Sequence, residues 1–267
     1  MKLAVLGAQT LLGRELIEAL ETRDCSTLPL ATGPMTLQEE EGDPVAFAPD
    51  PDLLGGLDAV ILADTPMDGG LLDVFRGRVL DLRSGGVAAG EPIPLSGTWP
   101  EGVERIKGRP INEQALALVP ALVDGIEDIS GVHLSSVACL GEPGILGLAA
   151  QSRAILDGRE PDETPLGYRA AFEAIPLRPI GNFTEVRIPT FHGDIMIINL
   201  KGVLTKKAPP ENAMWLDAPP TSREAAVTNQ LLAHFAESPS GLSATLTLGF
   251  DPILWGLLQP TLRILGL

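Results

Sequence analysis

The residues of this chain whose types suit chemistry are few: two cysteines, three histidines, and an arginine set seven positions before an aspartate. Cys139 lies in the apolar run Val132-His-Leu-Ser-Ser-Val-Ala-Cys-Leu140, which reads as one long strand. A reactive thiol needs a cation or a helix N-terminus to favour its thiolate, and a strand offers neither, so Cys139 reads as a buried structural thiol. Cys25 follows the first helix and reads as a surface or strand-start residue. The two cysteines have no metal-ligand or C-x-x-C spacing, so no metal is expected, and a reducing compartment suits them. His133 shares the Cys139 run and reads as a packed or edge residue, whereas His192, just before Gly193-Asp194, is the histidine best placed for a site. Arg187 has the fork that grips a substrate carboxylate, or that pairs with Glu185 or Asp194. Asp194 has an ordinary pKa near ~3.9, far below the neutral value wanted of a general base.

The elements that would position these groups begin with Leu3 to Leu6, a short apolar strand running into Gly7-Ala8-Gln9-Thr10-Leu11-Leu12-Gly13 and a helix over Leu12 to Glu21. Strand, glycine turn and helix N-terminus together are the layout that holds a dinucleotide pyrophosphate. Gly7, Ala8, Gln9, Thr10, Leu11 and Gly13 are therefore the candidate cofactor-binding residues. Thr10, however, stands at the middle glycine position of a G-x-x-G-x-x-G pattern, where a side chain crowds an approaching phosphate. Gly13 also has a purely structural use, close packing of the helix on the sheet.

Further strands are expected over Ser26–Leu30, Leu57–Ala63 and Val79–Leu82, with an edge strand near Val45–Phe47 and a short helix near Gly69–Phe75. Strands alternating with helices predict a parallel sheet. From Asn112 the pattern changes: a helix to Val123, the Val132–Leu140 strand, a helix over Leu146–Leu156, strands over Val186–Phe191 and Asp194–Leu204, a helix over Glu224–Ala236 and a strand over Ser243–Leu248. The fold class expected is α/β: a Rossmann-like parallel-sheet N-terminal domain, then an α+β domain of mostly antiparallel sheet, with a C-terminal helix from about Ile253 returning to the first. The domain limits expected are 1–111 joined by 249–267, and 112–248.

Composition narrows the partners. A net charge of −16 argues against nucleic acid and anionic membranes. No apolar run reaches the roughly 20 residues that span a bilayer, and Lys2 is followed by too short an apolar stretch for a signal peptide. A cytoplasmic protein is expected. Aromatics make up only 4%, so Leu, Ile, Val and Ala must build the core.

Taken in order, these pieces resemble the aspartate-semialdehyde dehydrogenase family. The opening turn is similar to that family's G-A-T-G-x-V-G, and Val79-Leu-Asp-Leu-Arg-Ser84 to its strand leading to the substrate side. Ser152-Arg-Ala-Ile-Leu-Asp-Gly158 and Ala171-Phe-Glu-Ala-Ile-Pro176 resemble its crossover helix and A-F-N-x-I-P stretch. Arg187-Ile-Pro-Thr-Phe-His-Gly-Asp-Ile-Met-Ile-Ile-Asn199 resembles R-V-P-V-F-x-G-H-S-x-x-x-N. The resemblance implies a cysteine thiolate that attacks an aldehyde, hydride transfer to NADP, release by phosphate, and pairing of subunits through the large sheet of the second domain.

The matching positions depart from that chemistry. Arg105-Ile-Lys-Gly-Arg-Pro-Ile-Asn112, the stretch of the family's N-x-C-[ST] nucleophile, has no cysteine, and Asp194 falls where the family has its acid/base histidine. Leu140 takes a substrate-side glutamine position. Ala31-Thr-Gly-Pro34 lacks a 2′-phosphate cluster, Asp251-Pro-Ile-Leu-Trp-Gly-Leu-Leu258 replaces a D-N-x-R-K-G-A-A-x-N helix entry, and the chain between Pro176 and Arg187 is too short for a helix of substrate contacts. The closest resemblance is to the family's paralogues with G-D in place of G-H.

Three readings of function follow. The first is a non-catalytic homologue acting as a homodimer or as a heterodimer with a paralogue, with Trp255, Leu257 and Leu258 either buried or contributing to assembly. The second is an NAD(P)-dependent dehydrogenase or reductase for a small acidic aldehyde, with Arg187 holding the substrate. The third is a nucleotide sensor of the short-chain dehydrogenase type; its catalytic version is excluded because Tyr168 has Phe172, not lysine, four residues on.

Overall fold

A computed structural model describes residues 1–31, 50–63, 75–83 and 89–267. The chain divides into two compact units, Met1–Arg109 with Leu257–Leu267, and Pro110–Gly256.

In the first unit, β1 (Lys2–Leu6), β2 (Ser26–Leu30), β3 (Ala59–Leu62), β4 (Arg78–Asp81), β5 (Glu91–Pro92) and β6 (Arg105–Lys107) form a sheet in the order β2-β1-β3-β4-β6-β5. Every pairing is parallel. Such a sheet is covered on both faces, and β1 and β3 are accordingly continuous apolar runs rather than alternating ones. Their side chains meet Leu30, Leu54 and Val79 in one core. Helix α1 (Leu11–Glu21) buries Leu12, Leu16, Ile17 and Leu20, the i, i+4, i+5, i+8 stripe of an amphipathic helix. The edge strand expected at Val45–Phe47 lies outside the described residues, as does the helix expected at Gly69–Phe75 except for Phe75 itself.

The second unit opens with α2 (Ile111–Leu122) and carries β7 (Val123–Ser135), α3 (Gly141–Leu156), β8 (Ile175–Ile180), β9 (Phe183–Arg187), β10 (Asp194–Lys206), β11 (Ala213–Trp215), α4 (Ser222–Ala225), β12 (Leu231–Glu237) and β13 (Ser243–Phe250). The strand order is β11-β12-β13-β10-β7-β9-β8. Four of the six pairings are antiparallel, and the parallel pair β7–β9 is joined by a crossover containing α3. Residues Ala115, Val119 and Leu122 of α2 pack on Met196, Ile198, Leu200, Leu246 and Leu248, so one face of the sheet makes the core. The other face carries Ile197, 38% exposed, beside Val132 and Thr247 in register.

Several expectations are corrected: the strand expected over Val186–Phe191 is β9, Phe183–Arg187, and residues 188–191 are irregular. Glu224–Ala236 is not one helix: a four-residue turn of helix, closed by a Thr221–Glu224 capping box, gives way to β12, which pairs with both β11 and β13. Sheet pairing of Leu231, Leu232 and Ala233 outweighs the helical tendency of the window. The Val132–Leu140 strand ends at Ser135, because the Ser136 N–H is captured by Asp194, and a 3-10 turn over Val137–Leu140 leads straight into α3. Helix α3 thus starts at Gly141, not Leu146. After a wide π-type turn over Leu254–Leu258, α5 (Gln259–Leu265) closes the chain, and Leu257–Leu267 belongs to the first unit. There Trp99 N donates to Ile264 O at 3.0 Å, and the Arg263 guanidinium donates to Pro94 O. Trp255 is 3% exposed in the core of the second unit, so it is not a surface for assembly.

Candidate functional site

Strand register gathers the second unit's polar groups at one end of its core-side face. Asp194 pairs with Phe250 and, two residues on, Met196 pairs with His133. His133 in turn pairs with Glu185, and Ser135 with Arg187. Since alternate residues of a strand share a face, Asp194, His133, Ser135, Glu185 and Arg187 all project to one side. Gly193, at φ 84°, brings the chain into β10: a Cβ there would lie 1.9 Å from Ser222 O.

Asp194 is fully buried. Its Oδ1 accepts the Ser136 N–H at 2.7 Å and the Ser136 hydroxyl at 2.6 Å, and its Oδ2 meets His133 Nε2 at 2.9 Å. The other ring nitrogen, His133 Nδ1, is buried and has no hydrogen-bond partner among the described residues. The aspartate thus ties the start of β10 to the end of β7. His192, 31% exposed at its side chain, sits with Nδ1 3.0 Å from Asp251 Oδ2, and the other Asp251 oxygen accepts the Ile253 and Leu254 N–H groups. The two histidines therefore serve different carboxylates.

Arg187 is 7% exposed. Its Nη1 donates to Ser136 O at 2.8 Å and to Cys139 Sγ, while Nη2 faces Glu185 Oε1 at 3.5 Å. Of its two sequence-expected partners, Glu185 is the one it takes; Asp194 belongs to His133. Burial works against the Arg187 cation, but Cys139, Tyr168 and Glu185 around it outweigh that, and its pKa shifts upward.

Cys139 needs a correction. It is not in a strand: it occupies the 3-10 turn that enters α3 and has the Arg187 guanidinium beside it. Even so, the thiol is pushed up from 9.0 to about 11. Burial dominates; Arg187 pulls it down, and Asp194 and Glu185 push it up again. Burial likewise raises the Tyr168 phenol, which feels the same Arg187, Cys139 and Glu185 charges. Ser135 and Ser136 were not legible as site members, since only the long-range pairing of β7 with β9 and β10 brings them in, and Tyr168 enters from the irregular stretch after α3.

In the first unit, Thr10 caps α1. The Gly7 and Ala8 N–H groups both donate to Leu30 O, the Thr10 N–H to Gly7 O, and the Gly13 N–H to Thr10 Oγ1 at 3.0 Å. The Thr10 hydroxyl faces Gly7 O at 2.8 Å and Ala63 O at 3.0 Å. A Cβ on Gly13 would stand 2.1 Å from Gly7 O, so the turn closes only with glycine there. The side chain of Thr10 caps the helix entrance, and the Gly7, Ala8, Thr10 and Gly13 N–H groups are spent on the protein. At the end of β4, buried Asp81 grips Arg83 with two bonds of 2.8 and 2.6 Å and accepts the Ala89 N–H at 3.1 Å. Burial alone would raise its pKa, but these bonds bring it below the usual carboxylate range. Arg109 Nε donates to Ile93 O. The Thr32–Pro34 part of the expected 2′-phosphate loop lies outside the described residues.

With both units laid out, the architecture is an α/β one, a Rossmann-like parallel-sheet unit and a unit of mixed, mostly antiparallel sheet. It is shared with solved aspartate-semialdehyde dehydrogenases. Aspartate semialdehyde dehydrogenase II from Vibrio cholerae superposes with a TM-score of 0.72 at 18% identity, over 98% of this chain and 96% of that one. A probable aspartate-semialdehyde dehydrogenase from Pseudomonas aeruginosa gives 0.73 at 17% identity, over 100% and 97%. The aspartate semialdehyde dehydrogenase from Francisella tularensis gives 0.72 at 13% identity, over 100% and 99%. At these identities the likeness is one of fold. No family model matches the sequence, and no curated protein matches it. Among the described residues, no helix is long and apolar enough to cross a membrane, and no group of three or more His, Cys, Asp or Glu side chains is placed to hold a metal ion.

Proposed function

We propose that this chain is a non-catalytic protein of aspartate-semialdehyde dehydrogenase fold that works as a dimer, with itself or with a paralogue. The observation that carries the reading is Asp194: seven residues after Arg187, where the resemblance implies a proton-shuttling imidazole, stands a buried carboxylate already holding three protein donors. It supports the strand junction and is buried from solvent. The turn at Thr10 supports the same reading for the dinucleotide, because a capping side chain stands at the middle glycine position with its hydroxyl turned onto Gly7 O and Ala63 O. Titration calorimetry with NADP and NAD is expected to give no heat, and steady-state assays with aspartate semialdehyde and NADPH no turnover. Either signal refutes the proposal.

The 38% exposure of Ile197, on the sheet face opposite α2, supports the dimer. Light scattering at micromolar concentration is expected to read twice the 28.1 kDa chain mass for the homodimer. A strict monomer, alone and beside a paralogue, removes the assembly role.

One observation favours a second reading, a working dehydrogenase: Cys139 stands at the start of α3 beside a guanidinium. Turnover that disappears in Cys139→Ala establishes it.

A further inference from the structure

The fork of Arg187 is filled from within the chain. Nη1 is spent on Ser136 O and Cys139 Sγ, and Nη2 points to Glu185 Oε1. That same Glu185 oxygen accepts the Ser135 hydroxyl at 2.9 Å. Two donors from neighbouring strands thus converge on one carboxylate oxygen, which is how a protein seats an anionic ligand. Glu185 is the more open member of the ion pair, its side chain 21% exposed against 8% for Arg187. Arg187 Nε is buried and has no hydrogen-bond partner among the described residues, so the guanidinium has a donor beyond those its described partners use. Glu185 and Arg187 sit two apart on β9, on one face, where an uncharged side chain at 185 would leave the cation without this counter-charge.

We propose that Glu185 is the resident occupant of an anion seat built from Arg187 and Ser135: the chain supplies for itself the carboxylate that a ligand would bring. The inference deepens the non-catalytic reading and rests on it, since a seat filled covalently cannot take a substrate. The ligand class follows from the atoms involved. Glu185→Ala removes the Cγ methylene and the carboxyl group, which together are the heavy atoms of acetate, so the emptied seat takes a small aliphatic monocarboxylate.

The test measures melting temperature for the full-length chain against sodium acetate, with sodium chloride at equal ionic strength as reference. Glu185→Ala is expected to melt lower than the parent and to be raised saturably by acetate, by on the order of 3 °C well above the dissociation constant. The parent and Glu185→Gln, which keeps the side-chain volume and its reach to Ser135, are expected not to respond. Arg187→Met added to Glu185→Ala is expected to abolish the response. If Glu185→Ala does not fold alone, refolding rescued by acetate and not by chloride supports the seat. No acetate effect on Glu185→Ala, or an equal effect on the parent, overturns it. Aldehyde turnover by the parent would overturn the non-catalytic reading instead, and these melting data would stand apart from it.

Discussion

The environment of Cys139 makes a prediction whose size follows from the structure. Its thiol is raised from 9.0 to about 11, chiefly because burial penalises the thiolate more than Arg187 rewards it. A shift of two units leaves about a hundredfold less thiolate than an unshifted thiol and, at pH 7, about one thiolate in ten thousand. In a Cys25→Ser background Cys139 is the one remaining thiol. Its alkylation by iodoacetamide is expected to climb about tenfold per pH unit from pH 7 and to bend only near pH 11. The shape of that profile carries the test, since restricted access lowers the whole curve without moving the bend. The same shift has a stability counterpart. Folding holds the Cys139 proton more tightly than the unfolded chain does, so the contribution is fully present below about pH 9. It is lost as pH rises through about 11, up to about 3 kcal/mol. Urea midpoints for parent and Cys139→Ser should therefore converge or cross as pH rises from 8 to 11. A bend at or below pH 8.5 would refute the reasoning and would show that the guanidinium, not burial, governs the thiol.

Other substitutions test separate parts of the account. Asp194→Ala leaves His133 and Ser136 without their acceptor and is expected to cost about 3 kcal/mol or more in urea denaturation. Asp194→His is expected to fare no better and to restore no activity, because the site is closed to solvent. Gly13→Ala drives a methyl to 2.1 Å from Gly7 O and should lower the urea midpoint by at least ~2 kcal/mol equivalent. Ile197→Lys places a charge on the sheet face opposite α2 and should halve the mass seen by light scattering while leaving the far-ultraviolet dichroism unchanged.

Local pattern was enough for β1 to β4 and α1 of the first unit, but not for the short strands β5 and β6. The apolar runs of β1, β3 and β4 and the glycine turn before α1 each announce themselves within ten residues, because a parallel strand buried on both faces needs no partner to be recognised. The second unit resisted in proportion to sequence separation. Strand β8, Ile175-Pro-Leu-Arg-Pro-Ile180, hides behind two prolines that an edge position tolerates. Strand β12 looked helical because its stability lies in β11 and β13. Cys139 was misread because its cation arrives from Arg187, and Asp194 because its partners are His133 and Ser136, none of them neighbours in the chain. The Arg187–Glu185 pairing was legible as one of two choices, since both lie on one face of a single strand; long-range register made the selection.

The return of Leu257–Leu267 to the first unit orders events during synthesis. The ribosome delivers β1 through β6 early, yet Trp99, Pro94 and their neighbours wait for Ile264 and Arg263 until the whole second unit has been translated. The middle of the polypeptide can reach its native form first, while the amino-terminal sheet stays open at one flank. A nascent chain stalled before residue 257 should then show protease-resistant residues 110–256 attached to a cleavable leader, and chaperone capture should concentrate on that leader.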